Sequence, residues 1–325
     1  MSSLAGYQIL RESTMVRIQG FKMMHETTLD AYRRPAALKI VIGDVRLSLA
    51  TVRDNAGRAT MNTWQTVNGE FKETRTFDVQ GRLATCEMNA KERWTFSYND
   101  DSRPLLVNDM TFDWNSGGVP KKIGRLEYAV DGNGWTGKRG DISFEMDGYG
   151  RLIGARGPSI DMKFDYDFQN RLITYRNGAI SYSLYYALPH LPGRVSHFQS
   201  SSDSSATAIL YTEEGVPFAM SRDGYRYALA VDDEGSLRYV LSESGVDKEI
   251  HRDPFGRVIA DTQSSQWIPL GFRGGIDIPE LSVTILPNSR PYDTMIGRYM
   301  SFGPSQIQRI SFKDIMRSVD PFSLE

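Results

Sequence analysis

His251, Arg252 and Asp253 spell the H-R-D of a protein-kinase catalytic loop, in which the Asp takes a proton from the substrate and an Asn five positions later binds metal. Position 258 is Val, so the metal-binding half is missing. Gly132 to Gly137, "GNGWTG", matches the dinucleotide spacing G-x-G-x-x-G, but that motif needs a helix whose N-terminus meets the pyrophosphate. The following "KRGDISFEM" reads as strand, so a hairpin turn is expected. Arg139, Gly140 and Asp141 spell an integrin-ligand tripeptide just before that strand, where Gly140 also serves as turn chemistry. The histidines, at 25, 190, 197 and 251, are too scattered for a metal centre or a triad and are read as surface or strand residues. The single Cys86, in the alternating "LATCEMN", excludes an internal disulfide and is read as a small buried hydrophobe rather than a reactive thiol. The many Asp residues raise the question of glycan cleavage by two carboxylates about 5 to 10 Å apart. Their spacing gives a different answer.

A chain of 325 residues with 40% hydrophobic content has enough apolar side chain for a core, and 24% charged residues at a net −2 give no field that gathers nucleic acid or anionic membrane. No apolar run approaches the roughly 20 residues that span a bilayer, and "MSSLAGYQILREST" lacks the basic start and apolar stretch of a signal peptide. No N-x-S/T sequon occurs. Tyr, Phe, Thr, Val and Ile fall in short runs between turn clusters, the profile of an all-β protein. Helical character is confined to "TTLDAYRRPAALK", interrupted by Pro35, and "FKDIMRSV" near the end. The serine-rich "QSSSDSSATA", residues 199 to 208, is expected to be a flexible loop between strands.

The acids recur in one pattern, Asp-x-x-Gly-Arg-aliphatic. It occurs at Asp54, Gly57 and Arg58, at Asp78, Gly81, Arg82 and Leu83 after Phe77, and at Asp147, Gly150, Arg151 and Leu152. Tyr166, Asp167 and Arg171 frame the same unit with Asn170 in the glycine slot; Asp232, Gly235 and Leu237, then Asp253, Gly256, Arg257 and Val258, continue it. "SYNDDSRPL" near Tyr98 is a degenerate copy. Consecutive copies lie 24, 20 and 21 residues apart (Asp54 to Asp78, Asp147 to Asp167, Asp232 to Asp253), the length of one hairpin. Gly or Asn supplies positive φ, the Asp accepts hydrogen bonds from the turn backbone, the Arg reaches an acid of its own or a neighbouring unit, and the aliphatic and preceding aromatic residues face the packed side. Such a unit buries a core only when stacked on its neighbours.

These residues resemble the YD-repeat, or Rhs-repeat, class, whose members wind β-hairpins spirally into a large hollow shell. "LGFRGGIDIPELSVTILPNSRPYDTMIGRYMSFGP" resembles the signature that ends the shell, here Gly271, Phe272, Gly274 and Gly275, then Arg290, Tyr292 and Asp293, then Gly297, Arg298 and Tyr299. Within the class, "KERWTFSYND", "KRGDISFEMDGYGRL", "GVPFAMSRDGYRYALAVDDEGSLRYVLSESG" and "DPFGRVIADTQSSQWIPLGFRGGI" resemble the C-terminal part of the teneurin shell, in order, over roughly residues 50 to 325. The resemblance divides the chain into 1-49, expected to be strands of the same shell, a YD-repeat shell at 50-265 and the signature region at 266-325.

The resemblance implies an all-β stack of antiparallel hairpins and a non-enzymatic adhesion module without cofactor or metal. It implies cell-cell recognition in neuronal development at the extracellular face of the plasma membrane, as part of a single-pass protein, through homophilic contacts and latrophilin-type receptors. The alternative is an Rhs-type shell that encapsulates a C-terminal toxin. Toxin shells carry Ser-Pro-Asp-Pro after the final G-R, where this chain has Ser301, Phe302, Gly303 and Pro304, so self-cleavage is not expected. The chain reads as a fragment or truncated product of a longer protein, with an unpaired strand edge that favours association at its N-terminal end.

Overall fold

The structure, a computed structural model, describes residues 2–4, 6–115 and 118–301. Twenty-seven strands, from Ser2–Leu4 to Val258–Asp261, form one sheet. Each strand pairs antiparallel with the strands before and after it in sequence, so the sheet is a continuous meander. Between strands Met23–Leu29 and Ile180–Tyr185 two kinds of connection alternate: short hairpin tips such as Gly178-Ala179 line one long edge, and turns of the Asp-x-x-Gly kind line the other. Each Asp turn shifts the register by one residue, as between Asp165 and Tyr166 opposite Leu172, which adds local twist and curls the sheet.

The curl brings the two ends of the meander together. Strands Pro217–Arg222, Tyr225–Val231 and Leu237–Ser242 are buried on both faces. On one face Phe218, Ala228, Ala230, Tyr239 and Leu241 pack against Tyr7, Ile18, Ile40, Leu47 and Trp64 of the early strands. On the other, Met220, Leu229, Leu237 and Val240 share a core with Ile276, Ile278, Val283 and Ile285. Those four belong to a second, four-stranded sheet, Ile276–Ile278, Val283–Ile285, Pro291–Asp293 and Arg298–Tyr299. Three layers therefore stack here, and the middle layer reads as a continuous apolar run in "YALAV" and, but for the ion-paired Arg238, in "LRYVL", instead of alternating.

The expected helix at residues 27–39 is absent. Strands Met23–Leu29 and Pro35–Ile42 flank a turn in which the Asp30 N–H donates to the Arg34 carbonyl at 2.9 Å and Arg33 takes φ 62°. The segment is an Asp turn with an arginine in the glycine slot, and Pro35 at the start of the next strand disfavours helix as well. "FKDIMRSV" lies outside the described residues. Helical geometry among the described residues is limited to the 3-10 turns Phe272–Gly274 and Pro279–Leu281.

Candidate functional site

At Asp54 the backbone N–H donates to the Arg58 carbonyl (3.0 Å) and the Gly57 N–H returns to the Asp54 carbonyl (2.9 Å). One carboxylate oxygen accepts the N–H groups of Ala56 and Arg58, both at 3.0 Å, and the other accepts the Arg58 Nε at 2.7 Å. Asp78, Asp147, Asp167 and Asp253 repeat the arrangement with Arg82, Arg151, Arg171 and Arg257. The fourth turn position has positive φ in every unit: Gly57 84°, Gly81 80°, Gly150 77°, Asn170 65°, Gly235 81°, Gly256 92°. A residue with a Cβ is sterically strained there, and Asn tolerates it best.

The arginine then reaches forward. Arg58 lies over the Phe77 ring at 4.2 Å, Arg82 over Tyr98 at 4.5 Å, Arg151 over Tyr166 at 4.8 Å and Arg171 over Tyr186 at 4.6 Å. Arg151 Nη1 donates to Asn170 Oδ1 (2.8 Å) and Arg171 Nη1 to the Pro192 carbonyl (2.8 Å). The pre-turn tyrosines answer backwards: Tyr98, Tyr166 and Tyr186 donate their hydroxyls to the carbonyls of Leu83, Leu152 and Leu172. The repeat residues are thus joined into a ladder along one edge of the sheet by charge-assisted hydrogen bonds and cation–π contacts.

The degenerate copy near Tyr98 closes the same pair of backbone hydrogen bonds at Asn99, with Ser102 in the positive-φ slot. Sequence reasoning missed other rungs: Asp30, Asn115, Asp131 and Thr212 close the same pair, with Arg33, Gly118, Gly134 and Gly215 in the positive-φ slot. Trp114 and Tyr211 behave as pre-turn aromatics, donating to the Pro104 and Val195 carbonyls. The signal that finds them is an oxygen-bearing side chain five residues before the first residue of a strand, whatever fills the arginine slot. "GNGWTG" is one of them, its Gly134 being the turn glycine of Asp131.

The same carboxylate titrates in opposite directions along the ladder. Burial pushes Asp54, Asp78, Asp147 and Asp167 up, but hydrogen bonds from the partner Arg and the turn N–H groups together outweigh it and hold them below the ordinary carboxylate value. Asp253 is buried under the signature region, and there burial prevails over Arg257 and raises it to about 6.

The signature residues clamp the ladder from within. Asp293, fully enclosed, pairs with Arg139 (Nη1 to Oδ1, 2.7 Å), accepts the Tyr128 hydroxyl (3.4 Å) and the Met295 N–H (2.9 Å), and its carbonyl takes the Gly297 N–H (2.9 Å). Arg139 also donates to the Leu281 carbonyl. Tyr292 is buried between Phe272 and Tyr299. Arg290 lies over Tyr299 at 4.3 Å and donates to the Ser301 carbonyl; Ser301 Oγ donates to the Gly150 carbonyl at 2.6 Å. Arg298 sits over Trp114 at 5.1 Å. Phe272 covers Gly256, and a Cβ on Gly271 or Gly275 would run into Asp277 or Thr284. Gly274 has φ 68° and its carbonyl accepts from Arg194 at 3.4 Å.

A second joint ties the early strands to the Asp232 turn. Arg53 faces Asp233 (3.6 Å), Arg75 pairs with Glu73 (2.5 Å), Arg238 faces both Glu73 (3.7 Å) and Asp232 (3.6 Å), and Arg273 pairs with Glu234 (3.4 Å). Burial pushes Asp232 above the ordinary carboxylate value, Arg238 opposing and Glu234 and Asp233 reinforcing it. Four arginines meet four carboxylates, so the buried cluster is neutral as a set.

The isolated motifs are absorbed by this architecture. Arg139 of the R-G-D string is 6% exposed and engaged by Asp293, which removes it from any integrin, and Gly140 has φ 54° at a hairpin tip. His251 pairs with Glu249 at 2.8 Å on a strand, and Asp253 is a turn acid. His25 is buried on its strand, where burial lowers it to about 4; His190 and His197 are exposed. Cys86 is buried and its thiol pushed up by burial. Residues 201–206 connect strands His197–Ser200 and Thr207–Tyr211.

The sequence model of the family described as "Teneurin YD-shell" matches residues 1–319. The chain is 35% identical over 334 residues to Teneurin-1 of Caenorhabditis elegans, covering 100% of this chain and 12% of that protein. It is 26% identical over 318 residues to Teneurin-4 of Homo sapiens, covering 93% of this chain and 11% of that one. It therefore spans about a tenth of the length of these relatives. Among solved structures, a complex titled TcdB2-TccC3-Cdc42 is similar over 98% of this chain and 18% of that chain, with a TM-score of 0.49 and 10% identity. The curled meander of Asp turns, closed by Asp293 and its neighbours, is the shell that this family model describes, and the chain belongs to the teneurin YD-shell family.

Proposed function

We propose that the chain serves as a non-enzymatic adhesion and receptor module of teneurin type. In this reading it is carried at the extracellular face of the plasma membrane by a single-pass protein and acts in cell-cell recognition during neuronal development. The observation that carries it is the commitment of the repeat chemistry to the scaffold: the carboxylates of Asp54, Asp78, Asp147, Asp167 and Asp253 are each saturated by their own turn and arginine, leaving the shell exterior as the surface for partners. Family membership supports the same reading. No helix among the described residues is long and apolar enough to cross a membrane, so the anchor belongs to another part of the whole protein in this reading.

The test is aggregation of non-adherent cells that display the chain on a transmembrane anchor. Mixed with cells bearing the same chain or a latrophilin-type receptor, they should form two-colour aggregates that free chain disperses. Single cells in both mixtures, with the chain folded at the surface, would overturn the reading.

A further inference from the structure

Four aromatic rings meet near the hairpin-tip edge of the sheet, away from the Asp-turn ladder. Tyr175 and Tyr182 stack with centroids 4.7 Å apart, Trp267 lies 4.5 Å from Tyr182 and 5.2 Å from Tyr175, and Phe198 meets Trp267 edge-on at 5.9 Å. Tyr175 and Phe198 are buried and form the base, while Tyr182 and Trp267 are half-buried. The indole Nε1–H is held by the Asp277 carbonyl at 3.0 Å, so the Trp267 ring is fixed by the signature region.

The charges around this cluster do not balance. Glu280, exposed on the 3-10 turn Pro279–Leu281, accepts from the Asn177 side chain at 3.3 Å and makes no ion pair among the described residues. Asp203 is matched by Arg222 at 3.0 Å and Asp277 by Arg252 at 2.6 Å. Glu280 is tied to the cluster from two sides, since its partner Asn177 lies two residues from Tyr175 on one strand and Asp277, whose carbonyl holds Trp267, lies three residues before it. Aromatic faces are negative, and a carboxylate held next to this cluster without an ion-pair partner among the described residues adds to that negative potential.

We propose that Tyr182, Trp267 and Glu280 form a surface site for a cationic side chain, the guanidinium or ammonium of an exposed Arg or Lys on a partner polypeptide. The rim favours a polypeptide as the source of the cation. Tyr182 pairs with Ser200 at the start of the serine-rich connection, and the next residue, Ser201, donates its N–H to the Ser181 carbonyl (2.7 Å) and accepts the Ser181 N–H on Oγ (3.1 Å), so polar backbone and hydroxyl groups border the cluster. The site deepens the adhesion reading by giving the partner's charge, and rests on that reading for the partner being a protein.

The test uses the whole chain with tryptophan indoles labelled by 15N, the Trp267 resonance being assigned with Trp267→Phe. Titration with acetyl-Gly-Arg-Gly-Arg-Gly-amide should move that resonance saturably, the Glu280→Gln variant should bind at least fivefold more weakly, and the peptide with Glu in place of Arg should have no effect. A Trp267 resonance that does not move, or that moves equally in Glu280→Gln, overturns the site. Tetramethylammonium binding as tightly as the peptide overturns the polypeptide as the source. Cell aggregation measured in parallel separates the two claims: peptide binding without aggregation supports the site and sinks adhesion, whereas aggregation unaffected by Glu280→Gln removes this site from the adhesive contact.

Discussion

Arg139 and Asp293 form a buried ion pair, Nη1 to Oδ1 at 2.7 Å, across 154 residues of sequence. One partner sits in the ladder of hairpins and the other in the signature region, so the pair fastens the closing sheet to the curled one. Removing one partner leaves a buried charge without compensation, which costs about 3–5 kcal/mol. Arg139→Met and Asp293→Asn should each lower the unfolding free energy from urea melts by an amount of that order, and an Arg139→Met/Asp293→Leu double variant should regain part of it. Single losses under about 1 kcal/mol would show that the closure is held elsewhere.

Turn glycines should differ sharply according to what lies above them. Gly134, at φ 78° with open space around its missing Cβ, carries only the backbone strain of an L-residue, so Gly134→Ala should cost about 1–2 kcal/mol. Gly256, at φ 92°, would in addition push a methyl group into the Phe272 ring, 2.6 Å from its Cδ atoms. Gly256→Ala should cost about 2 kcal/mol more than Gly134→Ala. Equal thermal melts for the two variants would mean that Phe272 moves aside freely.

Acid titration should expose two opposing groups. Asp253 titrates at about 6 in the folded state against an ordinary 3.8, so the penalty for its buried charge is fully present above pH 6 and relieved as the pH falls from about 6 toward 3.8. His25 titrates at about 4 against 6.5, so its contribution is fully present above pH 6.5 and lost as the pH falls from 6.5 to 4. His25→Leu should therefore stabilise the chain more at pH 5 than at pH 8, by about 2 kcal/mol. Asp253→Asn should instead abolish the relief on the acid side. Melting temperatures taken across pH 4–8 decide both, and parallel curves for the wild type and His25→Leu would refute the assignment of His25.

Cys86 should behave as core. Its side chain is buried and its thiol is raised by burial, with the Glu73 carboxylate adding to the effect. Thiolate reagents should label it only at the rate of unfolding and immediately in denaturant. Stoichiometric labelling of the native chain within minutes would contradict the packing around Leu83 and Met88.

The alternation of apolar residues and the Asp-x-x-Gly-Arg spacing were enough to read the all-β class and the hairpin unit. Both are local: positive φ at Gly81 and the reach of Arg82 back to Asp78 need only a few residues of chain. The same locality explains what was misread. With Arg33 in the glycine slot, the Asp30 turn looked like the interior of a helix, because Ala, Leu and Arg favour helix until strand pairing overrides propensity. Asn115 and Thr212 were overlooked because Val119 and Val216 replace the arginine while the backbone bonds persist.

Sequence alone thus determined the repeat, its period and its closing signature, since each rests on neighbours within a turn or a hairpin. Tertiary structure decided how far the meander curls. That curl brings Arg139 to Asp293, Arg53 to Asp233, Tyr182 to Trp267 and Asn177 to Glu280, through contacts that no spacing in the chain encodes. It also set the sign of each carboxylate's shift, because Asp78 and Asp253 share one set of ligands and differ in burial.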